Sequence, residues 1–167
     1  MMRHRYVEVE HLLSWHVSTT LRRCAPPVGG RSEALAAGPV LLACVPGEQH
    51  TLPIEALNAA LVERGLPTRM FGAAVPAEAL TAAVQRLGPM VVVLWAQARS
   101  TASLPLARHL ADVRWGVQGA RRRPLVLLGG PGWAGPVVRD LLRPTSLRDA
   151  LAILADAYPA RTADGGH

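Results

Sequence analysis

Val40-Leu41-Leu42-Ala43-Cys44-Val45-Pro46-Gly47-Glu48-Gln49-His50-Thr51-Leu52-Pro53 is the stretch whose reading decides the fold. An apolar run of strand length, Val40 to Cys44, stops at Pro46-Gly47. A carboxylate and an imidazole then follow, Glu48 and His50, one residue apart and just ahead of an amphipathic helix pattern. In an open α/β sheet, ligands sit at the loops leaving the carboxyl ends of the strands. A histidine in such a loop, with an acid two residues upstream, suits a metal ligand oriented by a carboxylate behind it. A loop histidine bonded to Glu48 with no metal is the competing reading.

Downstream, strand and helix patterns keep alternating. Thr51 is placed to cap a helix that runs to about Arg64 and stops at Gly65. Leu66 to Phe71 reads as a second strand, weakened by Pro67 and Arg69. Pro76 opens a helix to Leu87, with Glu78 in its first turn. Met90 to Leu94, with its Val-Val-Val run, suits a strand covered on both faces. Ala102 to Trp115 reads as the next helix, and Leu125 to Leu128 as a fourth strand ending in Gly129-Gly130-Pro131-Gly132. Leu141 to Arg143 is a short fifth strand, and the final helix starts around Thr145-Ser146 and runs to about Ala157. This alternation predicts a flavodoxin-like or Rossmann-like α/β domain over 39–158, a parallel five-stranded sheet with helices on both faces. Ligand-bearing loops are then expected at Pro46–His50, Ala96–Thr101 and Gly129–Trp133.

Ahead of this domain, Tyr6 to Cys24 reads as one helix within an N-terminal unit, 1–24. Val9, Leu13, Val17 and Leu21 recur at a spacing of four. A Pro- and Gly-rich linker is expected over 25–38, and a disordered tail over 159–167. A lone helix makes no core, so it must dock on the domain or on another chain.

The chain has 167 residues and a net charge of +6, and all 18 basic residues are arginine. The cluster Arg121-Arg122-Arg123 reads as a solvated loop, and no helix-turn-helix, zinc-finger or RNA-binding signature accompanies it, so direct DNA contact is not expected. No apolar run approaches the roughly 20 residues of a membrane span. The basic N-terminus is not followed by a signal core, which points to the cytoplasm. Cys24 and Cys44 make no disulfide framework, and Cys44 reads as a core residue. There is no Gly-x-Ser-x-Gly elbow, phosphate-binding Gly-Lys-Ser/Thr loop or Cys-x-x-Cys, so no catalytic residues are assigned and the chain is not expected to be an enzyme.

Glu48-Gln49-His50, Gly72-Ala73-Ala74-Val75-Pro76 and Leu128-Gly129-Gly130-Pro131-Gly132 together resemble the cobalamin (vitamin B12)-binding domain. The closest similarity is to the version carried by MerR-type transcription regulators, among them the cobalamin-dependent light-sensing repressors. The resemblance covers about 38–157. It implies a cobalamin cofactor with His50 as the lower cobalt ligand, replacing the cofactor's own base, and Glu48 as the acid that orients it. It also implies that Gly129 and Gly130 let the backbone approach the nucleotide tail. Glu10-His11 is similar to a pair on the last helix of the helical cap in those regulators; an upper-face contact and a solvated or interface position both stay open for it. Most of that cap and the DNA-binding domain have no counterpart in this sequence. The family's cap tryptophan, ten positions before the Glu-His pair, would fall before Met1, so light sensing loses its family basis.

The pattern departs from the family at three places. Glu48 replaces Asp, Pro53 stands where the general motif has Gly, and Trp95-Ala96-Gln97 replaces a Ser-x-Leu motif. That part of the tail pocket must therefore be lined differently, with Trp95 and Gln97 as candidates and Trp133 beside the glycine loop as a third. Trp95, Trp115 and Trp133 are all read first as packing residues. The implied function is a cobalamin-binding sensory module of a transcriptional regulator, acting through a homo-oligomer or a DNA-binding partner protein. The alternatives are an interaction module that has lost its cofactor, and a corrinoid carrier subunit of a methyltransferase or mutase.

Overall fold

Val40–Cys44 forms β1, five consecutive buried residues. Strands flank it on both edges and helices cover both its faces, which is why it reads as a continuous apolar run. The computed structural model describes residues 6–24, 38–116, 121–136 and 138–158. The expected linker, apart from Gly38, and the expected tail lie outside them. β2 (Thr68–Gly72), β3 (Val91–Trp95), β4 (Leu125–Gly129) and β5 (Leu141–Leu142) complete a five-stranded sheet in the order β2-β1-β3-β4-β5, parallel throughout. This is the flavodoxin-like order, with its topological switch point between β1 and β3.

Alternate residues along each strand serve opposite faces. Leu41, Val92, Leu94 and Val126 pack with α3 (Ala77–Leu87) and α4 (Leu104–Asp112). Val40, Leu42, Val93 and Leu127 pack with α2 (Leu52–Glu63) and α5 (Leu147–Ala157). β2 is an edge strand, and Pro67 precedes it rather than interrupting it: the Pro67 carbonyl accepts from Val40 N at 2.8 Å. Gly88, at φ +57°, closes α3, and a Cβ there would stand 2.7 Å from the Trp115 ring.

Local chemistry moves three expected boundaries. Thr51 does not cap α2. Its backbone is already helical, with φ −90° and ψ −22°, and its hydroxyl donates to Glu55 Oε1 at 3.0 Å. The helix expected over Ala102–Trp115 is shorter at both ends. Ser103 Oγ caps it by accepting from Leu106 N, and Val113 is already extended. Trp115 instead pairs with Arg122 in an antiparallel bridge.

The N-terminal helix, α1 (Val7–Cys24), docks on α2, but not through the expected stripe. Val9, Leu13 and Val17 are exposed, and of that stripe only Leu21 is half-buried. The contact runs through Arg22, which pairs with Glu55 Oε1 at 3.0 Å, and through Ser18, which also hydrogen-bonds Glu55. Glu55 is buried. Burial alone would raise its pKa, and the bonds from Ser18, Arg22 and Thr51 outweigh burial and lower it. A buried carboxylate on α2 therefore selects the polar side of α1, because an ionised acid cannot be left unpaired in the interior. Among the described residues, no helix is long and apolar enough to cross a membrane.

Candidate functional site

Gly47, at φ +81°, turns the chain after β1 and directs Glu48 inward. Glu48 is only 2% exposed, yet it is an acid, so it needs donors. It finds them in two loops. Oε1 accepts from His50 N at 3.0 Å and lies 2.5 Å from His50 Nδ1. Oε2 accepts from Gln97 N at 2.7 Å, from the Thr101 hydroxyl at 3.1 Å and from Ala98 N at 3.4 Å. The Glu48 carbonyl accepts from Ala74 N at 2.8 Å, which ties in the loop after β2. Burial pushes the carboxyl pKa up, but the bonds from His50, Gln97 and Thr101 prevail and bring it to about 2. Glu48 is therefore an anion at neutral pH.

That anion fixes the imidazole. Nδ1 faces a carboxylate, which favours the proton on that nitrogen; in that neutral tautomer Nε2 keeps its lone pair. The His50 side chain is 69% exposed. The product is an imidazole with a held ring and its Nε2 edge outward, at the switch point of the sheet. Among the described residues, no three side chains of His, Cys, Asp or Glu come together as a metal site. A single imidazole donor suits a metal that arrives with its other ligands already bound. Cys44 lies beneath, with Sγ 3.5 Å from the His50 carbonyl; burial, reinforced by Glu48 and Glu55, pushes its thiol up to about 12, so it is no nucleophile.

A cavity of about 610 Å³ opens between the first turn of α2, the ends of β3 and β4, and the loop before α5. Pro53 lines this cavity, as do Trp95, Gly129 and Gly130. Pro53 sits in the first turn of α2, where its fixed φ suits the helix, and the cavity persists beside it. Trp95 lines it with part of its ring, while its indole N–H is buried and without a partner among the described residues.

The glycines have a further role. A Cβ on Gly130 would stand 2.3 Å from the Ala96 carbonyl oxygen, and one on Gly132 would stand 2.5 Å from that of Ala98. Gly130 is also at φ +101°. The loop after β4 is thus clasped directly onto the loop after β3, the one that holds Glu48. Room for a ligand and close approach of two backbones are both met by these residues.

Trp133 does not line this cavity but a smaller neighbouring one, with Leu128 and Gly132. It is 3% exposed, and Nε1 donates to the Gly129 carbonyl at 3.0 Å and the Leu94 carbonyl at 3.3 Å. It rivets the end of β4 to β3. Gln97 contributes its backbone N–H, while its residue is exposed. Glu10 and His11 lie exposed on α1. Sequence reading missed Thr101 and the amides of Gln97 and Ala98 as partners of Glu48. Only their place in the loop after β3 hinted at them.

A family model for the B12 binding domain matches residues 38–135. No curated protein matches the chain. Among solved structures, the chain is similar to the methanol:cobalamin methyltransferase complex MtaBC from Methanosarcina barkeri, with 22% identity, a TM-score of 0.57, and coverage of 74% of this chain and 48% of that one. It is also similar to a novel cobalamin-binding protein from Desulfitobacterium hafniense DCB-2, with 19% identity, a TM-score of 0.51, and coverage of 72% and 58%. The chain therefore spans about half the length of these neighbours.

Proposed function

The chain belongs to the B12 binding domain family, with cobalamin as its cofactor, and from that premise we propose that it is a cobalamin-holding module in which His50 Nε2 takes the lower position at cobalt. The observation that carries this reading is the Glu48–His50 pair. A buried anion with five donors orients one outward-facing imidazole. The cavity beside α2, with Gly129 and Gly130 in its wall, fits the nucleotide tail of the same cofactor. When bound, the corrin supplies the redox and ligand-exchange chemistry of cobalt. The protein's own part is to bind, to orient the imidazole and to keep its Nδ1 proton on the Glu48 side.

In this reading the chain is not itself catalytic. It works as a sensory or regulatory module of the kind carried by MerR-type regulators, its output passing to a DNA-binding partner or another subunit. The resemblance of Glu48-Gln49-His50 and the glycine loop supports that role. Carriage of a corrinoid for a methyltransferase or mutase is the second reading, and the solved neighbours are consistent with it.

The test is direct. The purified protein is mixed with hydroxocobalamin, desalted, and its visible spectrum recorded. Retained colour is expected in the unmutated protein, with at least tenfold weaker capture in His50→Ala. An unmutated protein that retains no colour overturns the proposal. Light- or ligand-dependent changes in oligomer size favour sensing; methyl transfer to or from the bound cobalt favours carriage.

A further inference from the structure

The smaller cavity, of about 270 Å³, opens on the α4 side of the sheet. Three arginines from three parts of the chain border it: Arg99 in the loop after β3, Arg108 in α4 and Arg143 just past β5. No Asp or Glu lines it. Among the described residues the ion pairs are Arg22–Glu55, His50–Glu48 and Arg123–Asp112, and none includes these arginines. Arg143 donates to the Gly135 carbonyl at 2.8 Å, which uses one of its five donors.

Three like charges around one hollow repel one another, and low-dielectric walls concentrate their field. α4 also begins at this cavity, with Ala102 and Leu104 in its wall, and the first turn of α4 carries no acid. An anion seated there relieves the repulsion. The rest of the wall is largely apolar, with Leu104, Trp133, Pro136 and Val138. The Trp133 ring is fixed by its two carbonyl bonds. Such a wall suits an anion with an apolar body. The space is below the roughly 300–1,000 Å³ of ordinary ligand pockets, so that body must be small.

The cofactor does not answer these charges. The corrin's side chains are neutral amides, and the single phosphodiester of the tail goes with the 610 Å³ cavity beside α2 and α5. Arg143 borders both cavities, whereas Arg99 and Arg108 border the smaller one and not the larger.

We propose that the cavity ringed by Arg99, Arg108 and Arg143 is a second ligand site, which takes a small phosphomonoester. One guanidinium fork matches a carboxylate. A phosphomonoester brings nearly two charges and three acceptor oxygens, which several forks share. The site is separate from His50 and does not depend on the cobalamin reading.

The experiment titrates the ¹⁵N-labelled chain with phenyl phosphate, benzoate and inorganic phosphate, each in a phosphate-free buffer of about 0.15 M ionic strength, where exposed charges are well screened. Phenyl phosphate is expected to bind saturably, with amide shifts grouped at Ala102, Leu104, Gly132 and Trp133. Benzoate lacks the second charge and inorganic phosphate lacks the apolar body, and each is expected to bind at least about fivefold more weakly. Arg99 and Arg108 are exposed, so Arg99→Gln and Arg108→Gln are expected to fold normally. Each should weaken phenyl phosphate at least about fivefold, the loss of a charge-assisted hydrogen bond. Arg86→Gln makes the same charge change at the far end of α3 and should stay within about twofold. Equal weakening by all three variants, shifts that do not saturate, or shifts grouped elsewhere overturn the proposal, since binding then follows the net charge of +6. Benzoate binding as tightly as phenyl phosphate overturns the phosphomonoester assignment. His50→Ala is expected to bind phenyl phosphate within about twofold of the unmutated protein, so a failure of cobalamin capture and a failure of this site are read separately.

Discussion

Replacing Glu48 with Gln keeps the size of the side chain and removes its charge. The amide retains one accepting oxygen, so either the His50 donors or those of the Gln97–Thr101 loop face an NH₂ group that cannot accept. The magnitude follows from the carboxyl group's own titration. Its pKa falls from the usual 4.5 to about 2, a drop worth about 3 kcal/mol of folding free energy by linkage, less what solvent around the exposed His50 ring takes back. The sign is set by the direction of the shift. A depressed folded pKa stabilises above the unfolded value, fully so at pH 7, and the contribution is lost as pH falls from about 5 to about 2. Glu48→Gln is therefore expected to unfold about 2–3 kcal/mol more easily at pH 7, a fall in Tm of roughly 4–12 °C for a chain of this size. The two proteins should converge as the pH approaches 2. Urea unfolding followed by circular dichroism, repeated across that pH range, measures both. A variant within about 0.5 kcal/mol of the unmutated protein at pH 7, with the same acid profile, would refute the claim that this carboxylate is held ionised by its donors.

The remaining predictions concern the glycine clasp and the thiols. Gly130→Ala meets both a positive φ and a carbonyl oxygen 2.3 Å away, and is expected to destabilise the fold by at least about 2 kcal/mol in thermal unfolding. A change below about 0.5 kcal/mol would show that the loop after β4 can retreat freely. Cys24 is exposed, whereas the Cys44 thiol is buried and raised to about 12. At pH 7–8 the folded protein is expected to react with one equivalent of a thiol reagent, and with two once denatured. Two fast equivalents in the native protein would contradict the burial of Cys44.

The sheet was legible because its central strands are buried on both faces. Val40–Cys44 and Val91–Trp95 read as apolar runs whatever their partners. Glu48 and His50 were legible for a local reason: two residues apart, they can share one hydrogen bond within a single loop. The other half of the site was not. The amides of Gln97 and Ala98 belong to every residue type, and they reach Glu48 from 49 and 50 positions away. Nothing in their side chains announces that role. Trp133 was ambiguous because an indole beside a glycine loop can line a pocket or rivet two strands, and only its two carbonyl partners decide between them. The docking side of α1 was not legible because periodicity counts apolar residues, whereas the contact includes the ion pair of Arg22 with the buried Glu55. Thr51 was misread for a related reason. Its backbone is already helical, and its hydroxyl, which a cap uses as an acceptor, is turned to donate to Glu55.

The convergence of loops on Glu48 has a consequence for anyone who would transplant this histidine. Copying the two-residue motif onto another doubly wound scaffold would carry over Oε1 and its His50 contacts but leave Oε2 with no hosts. The graft would also have to import the turn from Gln97 to Thr101, together with the small residues that let the neighbouring loop lie flat upon it. The portable unit is a junction of strand ends, and a donor protein lacking any one of them would deliver an imidazole free to swing.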